Sequence, residues 1–335
     1  MISLKNLHTF HCEVHAEEVM EIMSVVQLEQ LFQQGFFREK NWMFLGGGSN
    51  VLFTKDFEGT VLLNMLKGRE ILGISRLGKT MVRVASGELW HDTVIWSLKH
   101  ELNGLENLSL IPGTVGAAPM QNIGAYGVEL KEVFHSLLAF DINTGETKTF
   151  FADECGFGYR ESVFKHKYKN KMIILSVEMH LATHGNTNIQ YGDILKVLEE
   201  SGFVLPFTPL QVSDAVIRIR KSKLPDPEEL GNAGSFFKNP TIELNHFHQL
   251  KTKHESIPGY PVNDHEIKVP AGWLIEQCGF KGKRVGETGS HAKQALVLVN
   301  YGKATGNEIL ELAEKIQEAV WDEFEIRITP EVNII

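Results

Sequence analysis

Residues 44–53 read FLGGGSNVLF: three consecutive glycines and a Ser-Asn pair set between two apolar runs. The flanking residues favour strands, so the stretch reads as strand, loop, strand. A loop without side chains leaves its backbone N–H groups bare, which suits an anion such as a phosphate. Two familiar phosphate loops are excluded. A Walker A loop closes on GK[ST], whereas Gly48 is followed by Ser49 and Asn50. A dinucleotide GxGxxG fingerprint opens a helix, whereas Val51-Leu52-Phe53 resumes a strand. The plain alternative is a tight hairpin turn.

Upstream, Ser24-x-x-Gln27 is a capping-box start for a short helix that stops at Gly35. Downstream, GTVLLNM and MVRVASG read as strands, and LWHDTVIWSLKHEL has helical spacing up to Asn103-Gly104. SLLAFDINTGETKTF reads as a hairpin turning at Asn143-Thr144-Gly145, and MIILSVEMHL as another strand. SGFVLPFTPL, with two prolines, marks a boundary near 201–210. In the last third, AGWLIEQCG is a helix ending at Gly279, and Thr305-x-x-Glu308 caps a longer one. Ile309, Leu312, Ala313, Ile316, Val320 and Phe324 share one face of that helix, a core stripe. Between these regular pieces lies IPGTVGAAPMQNIGAYG, residues 111–127. Its seventeen residues hold four glycines, two prolines and three alanines and no charge. It is too apolar for a solvated linker and too broken for a helix, so it is expected to lie against something large and flat.

At 335 residues the length suits roughly two domains. With 43% apolar and 22% charged residues the composition is that of a globular protein. A net charge of -9 opposes non-specific nucleic-acid binding, so cations for an anionic ligand must be gathered locally. The opening MISLKNLHTFHCEV lacks a signal-peptide core, and no run approaches the roughly 18 apolar residues of a membrane span. Cys12, Cys155 and Cys278 are widely spaced and read as buried thiols of a cytoplasmic protein. His246 and His248 have no third ligand nearby in sequence, so no metal site is expected.

LGGGSNVLF, IPGTVGAAPMQNIGAYG, YRESVFK, KLPDP, GNAGSFFKNP, AGWLIEQCGFKG and PEV occur in that order. The series closely resembles the UDP-N-acetylenolpyruvoylglucosamine reductase family of flavoenzymes over roughly residues 8–335. The resemblance implies an α+β chain: a two-subdomain FAD-binding fold of the vanillyl-alcohol-oxidase type plus a C-terminal α+β substrate domain. The expected divisions are 1–66, 67–206 and 207–335. It implies that Gly46, Gly47, Gly48, Ser49 and Asn50 cradle the FAD pyrophosphate through backbone N–H groups. It also implies that Ile111, Pro112, Gly113, Gly116, Ala117, Asn122, Gly124, Ala125 and Tyr126 lie along the flavin and its ribityl chain. No histidine stands in GGGSN to tether the flavin, so FAD is expected to be non-covalent.

The implied reaction reduces an enolpyruvyl ether to a lactyl ether in peptidoglycan precursor synthesis, with NADPH as co-substrate. Charge develops on the substrate as an enolate, which demands a cation or donors for the oxygens and an acid for the carbon. Ser235 in GNAGSFFKNP matches the family's proton donor; by itself it reads as a turn serine bonding its own backbone. Arg160 in YRESVFK and Glu331 in PEV match the enolate-stabilising pair. Glu331 stands close to the last residue, so that segment is expected to dock at the site. Lys223, Asn239 and Gln294 match contacts to the UDP-sugar. Tyr191 in IQYGDI resembles the tyrosine of a loop that closes over the pyrophosphate in one subgroup. Arg218, Arg220, Lys221 and Lys223 gather charge before LPDP, although RIRKSK alone reads as a solvated face. The expected partner is a UDP-sugar, with neither nucleic acid nor membrane, for a monomer. Two other readings stand beside this one: an FAD oxidase or dehydrogenase of the same fold with another substrate, and a non-catalytic flavin or UDP-sugar binder.

Overall fold

The structure is a computed structural model describing residues 1–185 and 187–335. The chain forms two compact units that are interleaved in sequence. One comprises Met1–His15, Gly48–Phe57 and Lys223–Ile335; the other comprises Ala16–Gly47 and Glu58–Ser222.

In the second unit, Ser24 accepts the Gln27 N–H, and the Gln27 side chain returns to the Ser24 backbone, starting helix Val25–Gln33. Gly35, at φ +76°, stops it. Leu28 and Leu31 on that helix pack with Phe37, Leu62, Phe140 and Leu175. Strand Trp42–Leu45 runs parallel to Phe57–Asn64, with Met43 opposite Val61. The larger sheet is antiparallel, in the order Thr147–Phe151, Phe134–Asp141, Met172–Leu181, Thr80–Ala85, Arg69–Ile74. The hairpin at Asn143-Thr144-Gly145 joins its first two strands, as the sequence suggests. Helix Trp90–Lys99 contributes the buried Trp90, whose ring N–H donates to the Leu108 carbonyl at 3.0 Å.

In the first unit, Gly231–Ser235, Val297–Asn300, Thr288–Ser290 and Arg284–Val285 form one sheet in that order. Helix Gly306–Phe324 begins with the Thr305–Glu308 capping box and buries the expected stripe from Ile309 to Phe324. His246 and His248 lie on helix Leu244–Lys253, and the His246 Nε2 lies 3.1 Å from the Phe324 carbonyl. Cys12 and Cys155 are buried and Cys278 partly so; burial pushes the first two thiols up to about 12 and the third to about 11. Among the described residues no helix is long and apolar enough to cross a membrane.

The hairpin alternative for FLGGGSNVLF fails. Trp42–Leu45 pairs with Phe57–Asn64, whereas Val51–Leu52 pairs in parallel with Asn333–Ile334. The chain passes from one unit to the other between Gly47 and Gly48. The loop is a crossover.

Candidate active site

The three glycines are crowded by the protein itself. A Cβ on Gly46 would stand 2.5 Å from the Thr114 Oγ1, and one on Gly47 would stand 3.1 Å from the Gly113 Cα. A Cβ on Gly48, at φ +60°, would overlap the Leu7 carbonyl oxygen. Chain packing alone thus requires glycine here, whatever the N–H groups bind. Gly47 is exposed, so its backbone is open to a ligand. Beside Gly46, the Thr114 hydroxyl is buried and has no hydrogen-bond partner. An orphaned hydroxyl facing a bare glycine backbone fits a phosphate-bearing cofactor.

The segment 111–127 divides by accessibility. Pro112 and Ala117 are exposed, and Ile111, Gly113, Gly124, Ala125 and Tyr126 partly so; these are small or flat surfaces available to a ring. Gly116 and Asn122 are buried and serve the protein. The Gly116 N–H donates to the Ser86 carbonyl at 2.8 Å, and a Cβ there would meet the Ser86 Cβ at 2.5 Å. The Asn122 Nδ2 donates to Glu129 Oε2 at 2.9 Å and to the Gly158 carbonyl at 3.1 Å, while its Oδ1 accepts from the Lys131 N–H at 3.0 Å.

Those bonds bring YRESVFK to this segment. Besides the Asn122–Gly158 bond, the Ser162 hydroxyl donates to the Met120 carbonyl at 2.6 Å. Arg160 sits between the two anchors with φ +55°, a conformation an arginine rarely takes and one typical of constrained functional loops. Tyr191 comes to the other end. Its exposed ring stands edge-on to Tyr126, with centroids 6.4 Å apart. Asn107, buried, fastens this loop by donating to the carbonyls of Tyr126 and Asn188 at 3.0 and 2.8 Å.

The basic run before LPDP splits when helix Pro209–Lys223 forms. Arg218 is exposed and donates to the Ser201 hydroxyl at 2.6 Å; Lys221 and Lys223 are exposed. Arg220 turns inward. Its Nε is buried without a hydrogen-bond partner. Burial holds its pKa below the ordinary arginine value, Tyr126 acts to raise it, and Arg160 to lower it. The solvated-face reading therefore fails at Arg220. Helical spacing carried the signal, because Arg220 follows buried Val216 by four and Ser213 by seven positions.

In the unit that contains Ser235, three short contacts order the chemistry. Thr9 donates its N–H to the Gly48 carbonyl at 3.1 Å and accepts the Asn232 N–H at 2.8 Å. Asn232, buried, accepts the Gly234 N–H at 2.9 Å. Ser235 is a strand residue opposite Val297, with an exposed side chain, so it is not a turn serine. Glu331 is set beside this strand, because its N–H donates to the Phe236 carbonyl at 2.7 Å. Asn50 ties the same segment to the glycine loop: its Nδ2 donates to the Glu331 carbonyl at 3.3 Å, and its own carbonyl accepts from Asn333. The segment after Glu331 is thus docked as a strand, as expected. Asn239 and Gln294 converge on helix Ala271–Gln277. The Asn239 Oδ1 accepts the Ala271 N–H at 2.9 Å, and the Gln294 Oε1 lies 3.0 Å from where a Gly272 Cβ would be.

Comparison with known proteins gives these groups a common setting. Residues 226–335 match the model for the UDP-N-acetylenolpyruvoylglucosamine reductase C-terminal domain, and residues 19–150 match an FAD binding domain. A UDP-N-acetylenolpyruvoylglucosamine reductase of Flavobacterium johnsoniae is 49% identical, covering 99% of this chain and 98% of that protein. One from Pseudomonas savastanoi pv. phaseolicola is 46% identical, covering 99% and 97%. The crystal structure of UDP-N-acetylenolpyruvylglucosamine reductase from Thermus caldophilus superposes with a TM-score of 0.67 at 23% identity, covering 99% and 97%. The fold is the expected α+β one, an FAD-binding part of the vanillyl-alcohol-oxidase type followed by the reductase C-terminal domain. The chain belongs to the UDP-N-acetylenolpyruvoylglucosamine reductase family.

Proposed function

We propose that the protein reduces the enolpyruvyl ether of UDP-N-acetylglucosamine to the lactyl ether, UDP-N-acetylmuramate, with NADPH, in peptidoglycan precursor synthesis. The observation that carries this reading is the 49% identity over 99% of the chain to a reductase so named. Bound FAD, held non-covalently, supplies the two-electron relay from NADPH to the terminal vinyl carbon. Exposed Pro112 and Ala117, with Gly113, Gly124 and Ala125, offer it a surface without protruding side chains, and the Thr114 hydroxyl offers a donor near Gly46. The expected subdomain division at residues 66 and 206 belongs to this proposal.

The substrate gains hydride at the vinyl terminus, and negative charge spreads over the adjoining carbon and its carboxylate. Arg160 holds that charge with a fixed cation. Ser235 protonates the carbon that bears the ether oxygen and recovers its proton from solvent, while NADPH leaves as NADP. Glu331 is fixed at its backbone by Phe236 and Asn50, and it acts in its neutral form or through Arg160, since an anion beside it disfavours its ionisation. Lys223, Asn239, Gln294 and Tyr191 contact the nucleotide sugar.

Ser235→Ala and Ser235→Cys test the proposal. In Ser235→Ala, NADPH should bleach the flavin at near the parental rate, and reoxidation by the enolpyruvyl substrate should fall by roughly 10²–10⁴. Ser235→Cys should recover part of the loss. Reoxidation of Ser235→Ala at the parental rate would remove the serine from the reaction.

A further inference from the structure

The acidic chain gathers positive charge at one place in the unit Glu58–Ser222. Arg220 and Lys221 act electrostatically on His91, and Arg160 acts on Arg220. His91 accepts the Leu110 N–H at its Nδ1, at 3.0 Å, next to the apolar segment. Tyr126, the last side chain of that segment, packs against the buried face of helix Pro209–Lys223 formed by Val212, Ala215, Val216 and Ile219. Ser109 and Ser213 join the same elements through a 2.7 Å hydroxyl–hydroxyl contact. Arg220 is therefore pinned in place and is no wandering surface cation.

A buried guanidinium ordinarily meets a carboxylate or several carbonyls. Among the described residues, the charged groups acting on Arg220 are Tyr126 and a second guanidinium, and its Nε donates to nothing. Two cations facing each other in a poorly solvated place are unfavourable until an anion joins them. Guanidiniums present planar forks matched to a two-oxygen monoanion. A strongly hydrated diphosphate suits the exposed Lys221 and Lys223 better.

We propose that Arg220 is a second binding residue for the carboxylate of the enolpyruvyl group, sharing it with Arg160. The inference rests on the reading of Arg160 given above. Arg220 holds the carboxylate in the ground state, and its fork strengthens as the enolate forms, so it contributes to both binding and rate.

The test uses the FAD-loaded holoprotein with Arg220→Met, Arg220→Lys and, separately, Arg160→Met. Two ligands are titrated against the oxidised flavin: UDP-N-acetylmuramate, which carries the carboxylate, and UDP-N-acetylglucosamine, which lacks it. Arg220→Met should weaken the first by roughly 10- to 100-fold, the range of a lost charge-assisted hydrogen bond, and change the second by less than about twofold. Flavin reoxidation should slow by roughly 10²–10³, with Arg220→Lys intermediate. Flavin reduction by NADPH should be unchanged. Thermal stability should rise in Arg220→Met, because an unpaired buried cation has been removed. Equal weakening of both ligands would assign Arg220 to the diphosphate and overturn the proposal. A slowed reduction or a shifted flavin potential with unchanged ligand binding would assign it to the flavin and overturn it likewise. A fall in stability with no change in ligand binding would make Arg220 a structural cation. If Arg160→Met binds and turns over normally, the reading of Arg160 fails; if it is impaired while Arg220→Met is normal, only the present inference fails.

Discussion

Asn122 offers a worked case in which a residue expected at the cofactor proves to be a tie within the protein. It is buried, and its side chain makes three hydrogen bonds of 2.9–3.1 Å, to Glu129, Gly158 and Lys131. Its φ of +42° is one that asparagine tolerates better than alanine. Replacing it with alanine removes three bonds worth about 1 kcal/mol each. The left-handed backbone adds about 1 kcal/mol for a residue with a Cβ. The sum is about 4 kcal/mol, which in a unit of this size lowers the melting temperature by roughly 8–16 °C. Asn122→Gly should lose the bonds without the backbone strain, so the difference between the two variants isolates the φ cost. The measurement is thermal unfolding of the holoprotein at a fixed excess of FAD, since the ligand itself shifts the transition. The Asn122–Gly158 bond anchors the loop that carries Arg160, so the surviving folded fraction should also reoxidise its flavin slowly. A loss below about 1 kcal/mol, accompanied by loss of FAD, would refute this reasoning and return Asn122 to the cofactor.

Gly48→Ala should fold poorly, because its Cβ overlaps the rigid Leu7 carbonyl, whereas Gly234→Ala meets nothing within 4 Å and should cost only the φ strain of about 1 kcal/mol. Circular dichroism melts of the pair check this. Burial holds the His8 ring below its ordinary 6.5, so the unfolded chain takes up that proton first. Stability from His8 is complete above about pH 6.5 and is lost as pH falls toward the depressed folded value. His8→Gln, which keeps a donor for the Cys12 carbonyl, should flatten the melting curve against pH between about 7 and 5. Acid precipitation should release free FAD into the supernatant; flavin remaining in the pellet would contradict non-covalent binding.

Much of this architecture was legible where its causes are local. The boxes at Ser24 and Thr305 are each closed by a residue three positions on, and the Ile309–Phe324 stripe repeats with the helix. The glycine loop was readable as a loop, yet the partner of Val51–Leu52 lies at Asn333–Ile334. No local pattern distinguishes that parallel pairing from a hairpin. Asn50 is separated from Glu331 by 281 positions, so its role as a tether was invisible. Ser235, Arg160 and Glu331 were found through long motifs, since singly each has an ordinary structural use. Arg220 was obscured by its neighbours: a basic run reads as solvent-facing until helical spacing assigns one member to the buried side.

The reductase reading is tested most directly by following NADPH oxidation by the FAD-loaded protein with and without UDP-N-acetylglucosamine enolpyruvate, with the product analysed by mass. The account expects NADPH to be consumed only when that substrate is present, one per molecule, and the product to be heavier by two hydrogens. NADPH consumption indifferent to the enolpyruvyl sugar nucleotide, or an unchanged substrate mass after NADPH is exhausted, would contradict it.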